Sequence, residues 1–113
     1  MSAECEELSP QTVHEWEFHA RRDLAHFRDH FPGMPILPGV ALLDLAVFPE
    51  LLRWCTDLGV VRGLARVKFR RPVMPDAVVR VAAERLPGQA RVRFRASIGD
   101  DECASGIVEF EPA

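Results

Sequence analysis

Two five-residue runs, Arg66-Val67-Lys68-Phe69-Arg70 and Arg91-Val92-Arg93-Phe94-Arg95, alternate charged and apolar residues without a break. A period of two sends successive side chains to opposite faces of a strand, so each run builds a sheet with one apolar face and one face of arginine and lysine. The apolar face needs a cover. Strand-like stretches run from Val60 to Arg70, Ala77 to Leu86, Ala90 to Ile98 and Glu102 to Phe110. Turn residues at Met74-Pro75-Asp76, Pro87-Gly88 and Gly99-Asp100-Asp101 divide them. A weaker strand surrounds Trp16 between Gln11 and His19. The cover is the run from Gly39 to Phe48, rich in helix formers and preceded by Pro38, which a helix start tolerates. This helix is expected to continue through Leu51, Leu52 and Trp54 and to end near Gly59, with Pro49 kinking or dividing it. A sheet of about five antiparallel strands wrapped around one buried helix satisfies both elements, an α+β arrangement.

At 113 residues the chain is expected to form a single domain over residues 1–113. It is short enough that a long helix or flat sheet would gain from a partner subunit. Fourteen basic against seventeen acidic residues give a formal charge of −3, which argues against a dedicated nucleic-acid binder. Cys5, Cys55 and Cys103 lie far apart without CxxC spacing, so neither a disulfide framework nor a zinc site is expected. His26 and His30 are four residues apart, yet Pro32 and Gly33 oppose a helix there and no further ligand cluster is visible. The acidic N-terminal residues lack the features of an export signal, and the apolar stretch from Phe31 to Pro49 is too broken by proline and glycine to span a bilayer. A reducing cytoplasm fits these readings.

Three features carry chemistry. Asp44 is the only charged residue between Pro32 and Pro49, inside a helix that otherwise reads as core. A buried carboxylate needs a partner, a water-lined cavity or a raised pKa, and a raised pKa suits a general acid. The alternative is an aspartate on a solvent-facing side of a helix less buried than its composition suggests. His30 stands in Asp29-His30-Phe31-Pro32-Gly33, directly before the irregular lead-in to the helix, where an imidazole can titrate near neutrality as a base or serve as a structural hydrogen-bonder. Gly39 lets a ligand approach backbone N–H groups at the positive end of the helix, or merely starts that helix. A base, an acid and an oxyanion donor around one cleft are the equipment for enolising a carbonyl compound and expelling a β-hydroxyl.

The segment from His30 to Val40, His-Phe-Pro-Gly-Met-Pro-Ile-Leu-Pro-Gly-Val, followed by Asp44, resembles the HFPGxPxxPGV signature of hot-dog 3-hydroxyacyl-(acyl carrier protein) dehydratases of the FabA/FabZ type. Val67 to Asp76 resembles the family's KFxxPVxPGD strand and turn, and Ser105-Gly106-Ile107-Val108 its last strand. The resemblance covers Leu24 to Phe110. It implies a hot-dog fold and a catalytic pair, His30 and Asp44, shared across a homodimer. It also implies an oxyanion and substrate-binding site at Gly39 and Val40, and an acyl carrier protein as bearer of the substrate. No metal or redox cofactor is implied. Asp44 followed by Leu45-Ala46-Val47, in a short chain, is similar to the small ApeI-like dehydratases of aryl-polyene and related pigment clusters.

The chain departs from the family pattern at Asp29, where glycine is commoner, and at Phe48, where many members carry glutamine one turn after the acid. Arg66, Lys68, Arg70 and Arg71, or Arg21 and Arg22, are the candidates for a surface that docks an acidic carrier. The homodimer has one alternative, a pairing with a paralogue. Two other functions share the fold: an acyl thioesterase, and a silent subunit that binds acyl chains or supports a partner.

Overall fold

The structure, a computed structural model, describes residues 12–25, 27 and 36–112. Five strands appear in the expected places: β1 (Val13–Ala20), β2 (Val60–Phe69), β3 (Ala77–Arg85), β4 (Arg91–Ile98) and β5 (Asp101–Glu111). They form one antiparallel sheet in the order β1-β3-β4-β5-β2. Turn chemistry closes the two hairpins, with Gly88 at φ 72° and Gly99 at φ 61°, conformations that cost a side chain energy and glycine little.

The central helix is one continuous rod of 16 residues, built from α1 (Gly39–Leu42), a π-helical stretch (Leu43–Val47) and α2 (Phe48–Trp54). Pro49 is the cause of the change in pitch. It has no N–H to donate, and its ring would strike the carbonyl four residues back in a regular helix. Widening the preceding turn avoids the collision, and the Phe48 N–H reaches back five residues to the Leu43 carbonyl. A short 3-10 turn (Thr56–Leu58) and Gly59, at φ 99°, end the helical region.

The core lies between this helix and the concave face of the sheet. Leu42, Leu43, Ala46, Val47 and Leu51 meet Val79, Val81, Val92, Phe94 and Val108. On β4 the strict alternation holds: Val92 and Phe94 are buried, Arg93 and Arg95 exposed. On β2 it does not. A bulge between Ala65 and Lys68 inserts one residue, and Arg66 adopts φ 56° there. Arg66 follows Ala65 onto the outer face, Val67 turns inward against Gly106, and Lys68 faces outward again beside Ser105.

Asp44 departs from the expectation of burial. No charged residue is buried among the described ones. The helix rests on one side only, so Val40 (69% exposed), Asp44, the half-buried Phe48 and Leu52 follow one another at one-turn spacing along an open stripe. This composition reads as core, but a single chain does not cover it all.

Trp16 contributes more than packing. Its indole N–H donates to the Ala46 carbonyl at 2.7 Å, fastening β1 to the middle of the helix. At the other end of β1, Asp76 sits at φ 70° in the turn before β3, the position where the dehydratase pattern has glycine. Aspartate tolerates this conformation, and its carboxylate accepts from the Arg22 backbone N–H (3.1 Å) and the Arg22 guanidinium (2.6 Å). The Arg22 partnership holds the Asp76 carboxyl below the usual carboxylate range.

Candidate active site

A cavity of about 250 Å³ opens at the N-terminal end of the central helix, between Pro38, Gly39 and Leu42 on one side and Phe69, Arg70 and Val73 on the other. Two local constraints build it. The Leu37 N–H donates to the Val73 carbonyl at 2.8 Å, tying the segment that enters the helix to the connection leaving β2. That connection is itself pinned by the Arg70 N–H, which donates to the Cys103 carbonyl on β5 at 2.8 Å. Pro72 favours extended geometry in the residue before it.

Gly39 has a second role that the sequence reading missed. A Cβ at residue 39 would stand 2.7 Å from Cε1 and Cζ of Phe69, so the absence of a side chain there admits the aromatic ring as a wall of the cavity. Phe69 is 48% exposed. The signal was present, a phenylalanine closing the alternation of β2, but the bulge that sets its direction has no sequence mark. In an α-helix the first N–H groups have no intrahelical acceptor and lie at the positive end of the dipole, which makes Gly39 and Val40 donors toward this side. Pro38, as N-cap, offers no side-chain hydrogen bond to compete for them.

Of the four expected site residues, the structure places Gly39 on the cavity, Val40 exposed beside it and Asp44 one turn further along the open stripe. His30 and Asp29 lie outside the described residues. Phe48, one turn beyond Asp44, presents a half-buried hydrocarbon surface where a glutamine would offer a hydrogen bond. Cys55 is buried in the core, at 1% exposure, and not near the cavity lining. Among the described residues no three His, Cys, Asp or Glu side chains are grouped so as to hold a metal ion. No helix of the described residues is long and apolar enough to cross a membrane.

Strand order, a central helix laid across the sheet and a cavity at the helix start define a hot-dog fold. A solved structure with the same fold is the dehydratase heterocomplex ApeI:P from Xenorhabdus doucetiae, at TM-score 0.78 and 23% identity, covering 88% of this chain and 87% of that one. Among curated proteins, the 3-hydroxyacyl-[acyl-carrier-protein] dehydratase FabZ of Acetivibrio thermocellus is 31% identical over 93 residues, 74% of this chain and 64% of the relative. FabZ of Moorella thermoacetica is 32% identical over 94 residues, 75% of this chain and 66% of the relative. The chain thus spans just under two thirds of the length of these relatives. The family model of the ApeI-like dehydratases matches residues 6–107, and the chain belongs to that family.

Proposed function

We infer that the protein reversibly dehydrates a 3-hydroxyacyl thioester, presented by an acyl carrier protein, to the trans-2-enoyl thioester, in fatty-acid, polyene or polyketide-type biosynthesis in the cytoplasm. The family match over residues 6–107 carries this reading, because it spans His30, Gly39, Val40 and Asp44 together. Residues 1–113 act as one catalytic domain.

Each role follows from residue chemistry. The thioester carbonyl accepts hydrogen bonds from the N–H groups of Gly39 and Val40 at the helix start, which lowers the cost of negative charge on its oxygen as the α-carbon is deprotonated. His30 takes the α-proton. The electron pair of that C–H bond forms the Cα=Cβ bond, the β-carbon to oxygen bond breaks, and Asp44 delivers the proton with which the hydroxyl leaves as water. Acid–base help of this kind is worth roughly 10²–10⁴-fold for each group.

A dimer supports the arrangement. Val40, Leu64 (43% exposed), Phe69 and Met74 are large apolar side chains left open in one chain, and the free edge of β2 lies alongside. A second copy covers this surface, encloses Asp44 and supplies the His30 that faces it. A paralogous chain is the alternative occupant, since the ApeI:P structure is a heterocomplex.

The test is mass spectrometry of the purified protein with a 3-hydroxyacyl carrier-protein thioester, beside His30→Ala and Asp44→Asn. Loss of one water by the wild type, abolished in both variants, is the expected result. Release of free acid would identify a thioesterase. Untouched substrate would identify a silent subunit or one that needs a paralogue.

A further inference from the structure

The central helix holds one residue more than a regular α-helix between the same contacts could take up. Its buried contacts step by four, through Leu43, Val47 and Leu51 to Cys55 at its C-terminal end. The open stripe steps by four as well, from Val40 through Asp44 and Phe48 to Leu52. An α-helix turns by about 100° per residue, so residues four apart drift by about 40°, and three such steps accumulate about 120°. Regular pitch throughout would therefore carry Leu43 and Cys55 to different faces. The π-helical stretch Leu43–Val47 absorbs the extra residue and brings the accumulated drift back to about 20°.

Both ends of the helix are fixed, so its middle has to take up the difference. At the entry, the Leu37 N–H donates to the Val73 carbonyl at 2.8 Å and Gly39 lies against the Phe69 ring. Past the widened turn, Leu51 and Cys55 are in the core, and His14 Nε2 and Glu50 Oε2 lie 2.8 Å apart, joining α2 to β1. Pro49 decides where the extra residue goes. It has no N–H for the Leu45 carbonyl, and its ring excludes a regular turn there. The widening falls directly before it, on the turn that holds Asp44. The Trp16 indole N–H, on the Ala46 carbonyl at 2.7 Å, clamps the same turn from β1.

We propose that Pro49 is a positioning residue for the dehydration: by confining the widened turn to Leu43–Val47, it holds Asp44 in line with Val40 on the open stripe, at the phase from which its carboxyl serves the cavity at Gly39. The proposal rests on the function inferred above and adds the device that aims its acid. With a residue at position 49 that carries an N–H, the extra residue can be absorbed at any turn between the two fixed ends, and Asp44 is then shared among several directions about the helix axis. A group that delivers a proton has to lie within hydrogen-bond reach of the atom that receives it. The step it serves slows, while substrate binding does not.

The experiment compares wild type, Pro49→Ala and Arg53→Ala, an exposed substitution in the same helix. NMR of labelled protein reads the scalar coupling across the hydrogen bond from the Phe48 N–H to the Leu43 carbonyl, and the carboxyl carbon resonance of Asp44. Thermal unfolding gives Tm, and steady-state kinetics give kcat and KM for a 3-hydroxyacyl pantetheine thioester. Pro49→Ala is expected to lose most of the coupling, to shift the Asp44 resonance and to lower kcat about tenfold, with KM within about twofold and Tm within about 5 °C of wild type. Arg53→Ala is expected to match wild type throughout.

The proposal is overturned if Pro49→Ala keeps the Phe48–Leu43 coupling, since the turn then needs no proline. It is overturned if the coupling is lost and kcat is unchanged, since the turn then does not aim Asp44. It is overturned too if kcat, KM and Tm all worsen together, or if Arg53→Ala reproduces the loss, since the effect is then a general one. A wild type that does not dehydrate the thioester strikes the inferred function instead, and NMR still decides the positioning: an Asp44 resonance that stays in place when the coupling is lost overturns it.

Discussion

The ring of Phe69 occupies the space that a side chain on residue 39 would need, with two ring carbons 2.7 Å from the ideal Cβ position. Replacing Gly39 with alanine forces the ring aside. Because the ring is half-exposed and is the far end of a side chain, the cost to stability is modest, about 1 kcal/mol, while the cavity wall moves and thioester turnover falls. Phe69→Ala in the Gly39→Ala background removes the collision. A double-mutant cycle on denaturation midpoints is expected to show favourable coupling of roughly 1 kcal/mol. Additive effects would mean the ring is not what Gly39 accommodates.

Trp16→Phe keeps the aromatic packing and deletes the donor to the buried Ala46 carbonyl. The loss is expected to be about 1 kcal/mol, read as a drop in Tm of roughly 4–8 °C. The urea m-value stays constant, since no additional surface is exposed on unfolding. An unchanged midpoint would show that the carbonyl finds another partner.

Burial pushes the Cys55 thiol up to about 11 from its ordinary 9.0, the nearby Arg85 charge opposing only in part. An unfolded chain releases this proton near pH 9 and the folded one near 11, so the unfolded state binds fewer protons across that window. Stability therefore falls as pH rises through it, and is unaffected by this group below it. Cys103, also pushed up by burial, adds in the same direction. Denaturation midpoints followed from pH 8 to pH 11 are expected to decline less steeply in Cys55→Ala than in wild type. At neutral pH Cys55 resists thiol reagents until the protein unfolds.

Leu64→Arg places a charge in the open apolar surface along β2. The variant is expected to run as a folded monomer in light scattering, with wild type a dimer, and to lose turnover by more than about tenfold, the outcome that the proposed pairing of Asp44 with a second copy's His30 requires. A monomeric variant of full activity would place both groups in one chain.

The strands were legible because alternation is a local property: Arg91 to Arg95 reads the same in the sequence and in β4. The helix was legible for a similar reason, as Pro38 and Gly59 mark its approaches and the run between them is apolar. What the helix faces was not. Val40, Asp44, Phe48 and Leu52 lie on the uncovered side only because this sheet leaves it open, a fact about width and wrapping that no single residue records. The bulge at Arg66 was hidden in the same way, since an alternating run cannot announce an inserted residue. Pro49 announced a disturbance, and the structure resolves it into a widened turn. Trp16 read as packing because its indole acceptor is a main-chain carbonyl, invisible in side-chain patterns. His30, the residue on which the reading of the site leaned most, falls outside the described residues, so the site was legible as chemistry more than as geometry.

The strand order has a consequence for how the molecule assembles. β3, β4 and β5 are neighbours in sequence and close through short turns, whereas each outer strand finds its only mate far along the chain: Val13 opposite Glu84, Val60 opposite Glu111. Joining distant segments costs more chain entropy than closing a hairpin. The middle hairpins are therefore the natural nucleus, and the flanks zip on last. Until β2 docks on β5, neither the bulge nor the Phe69 wall exists, so the sheet is substantially formed before the cavity at Gly39 is.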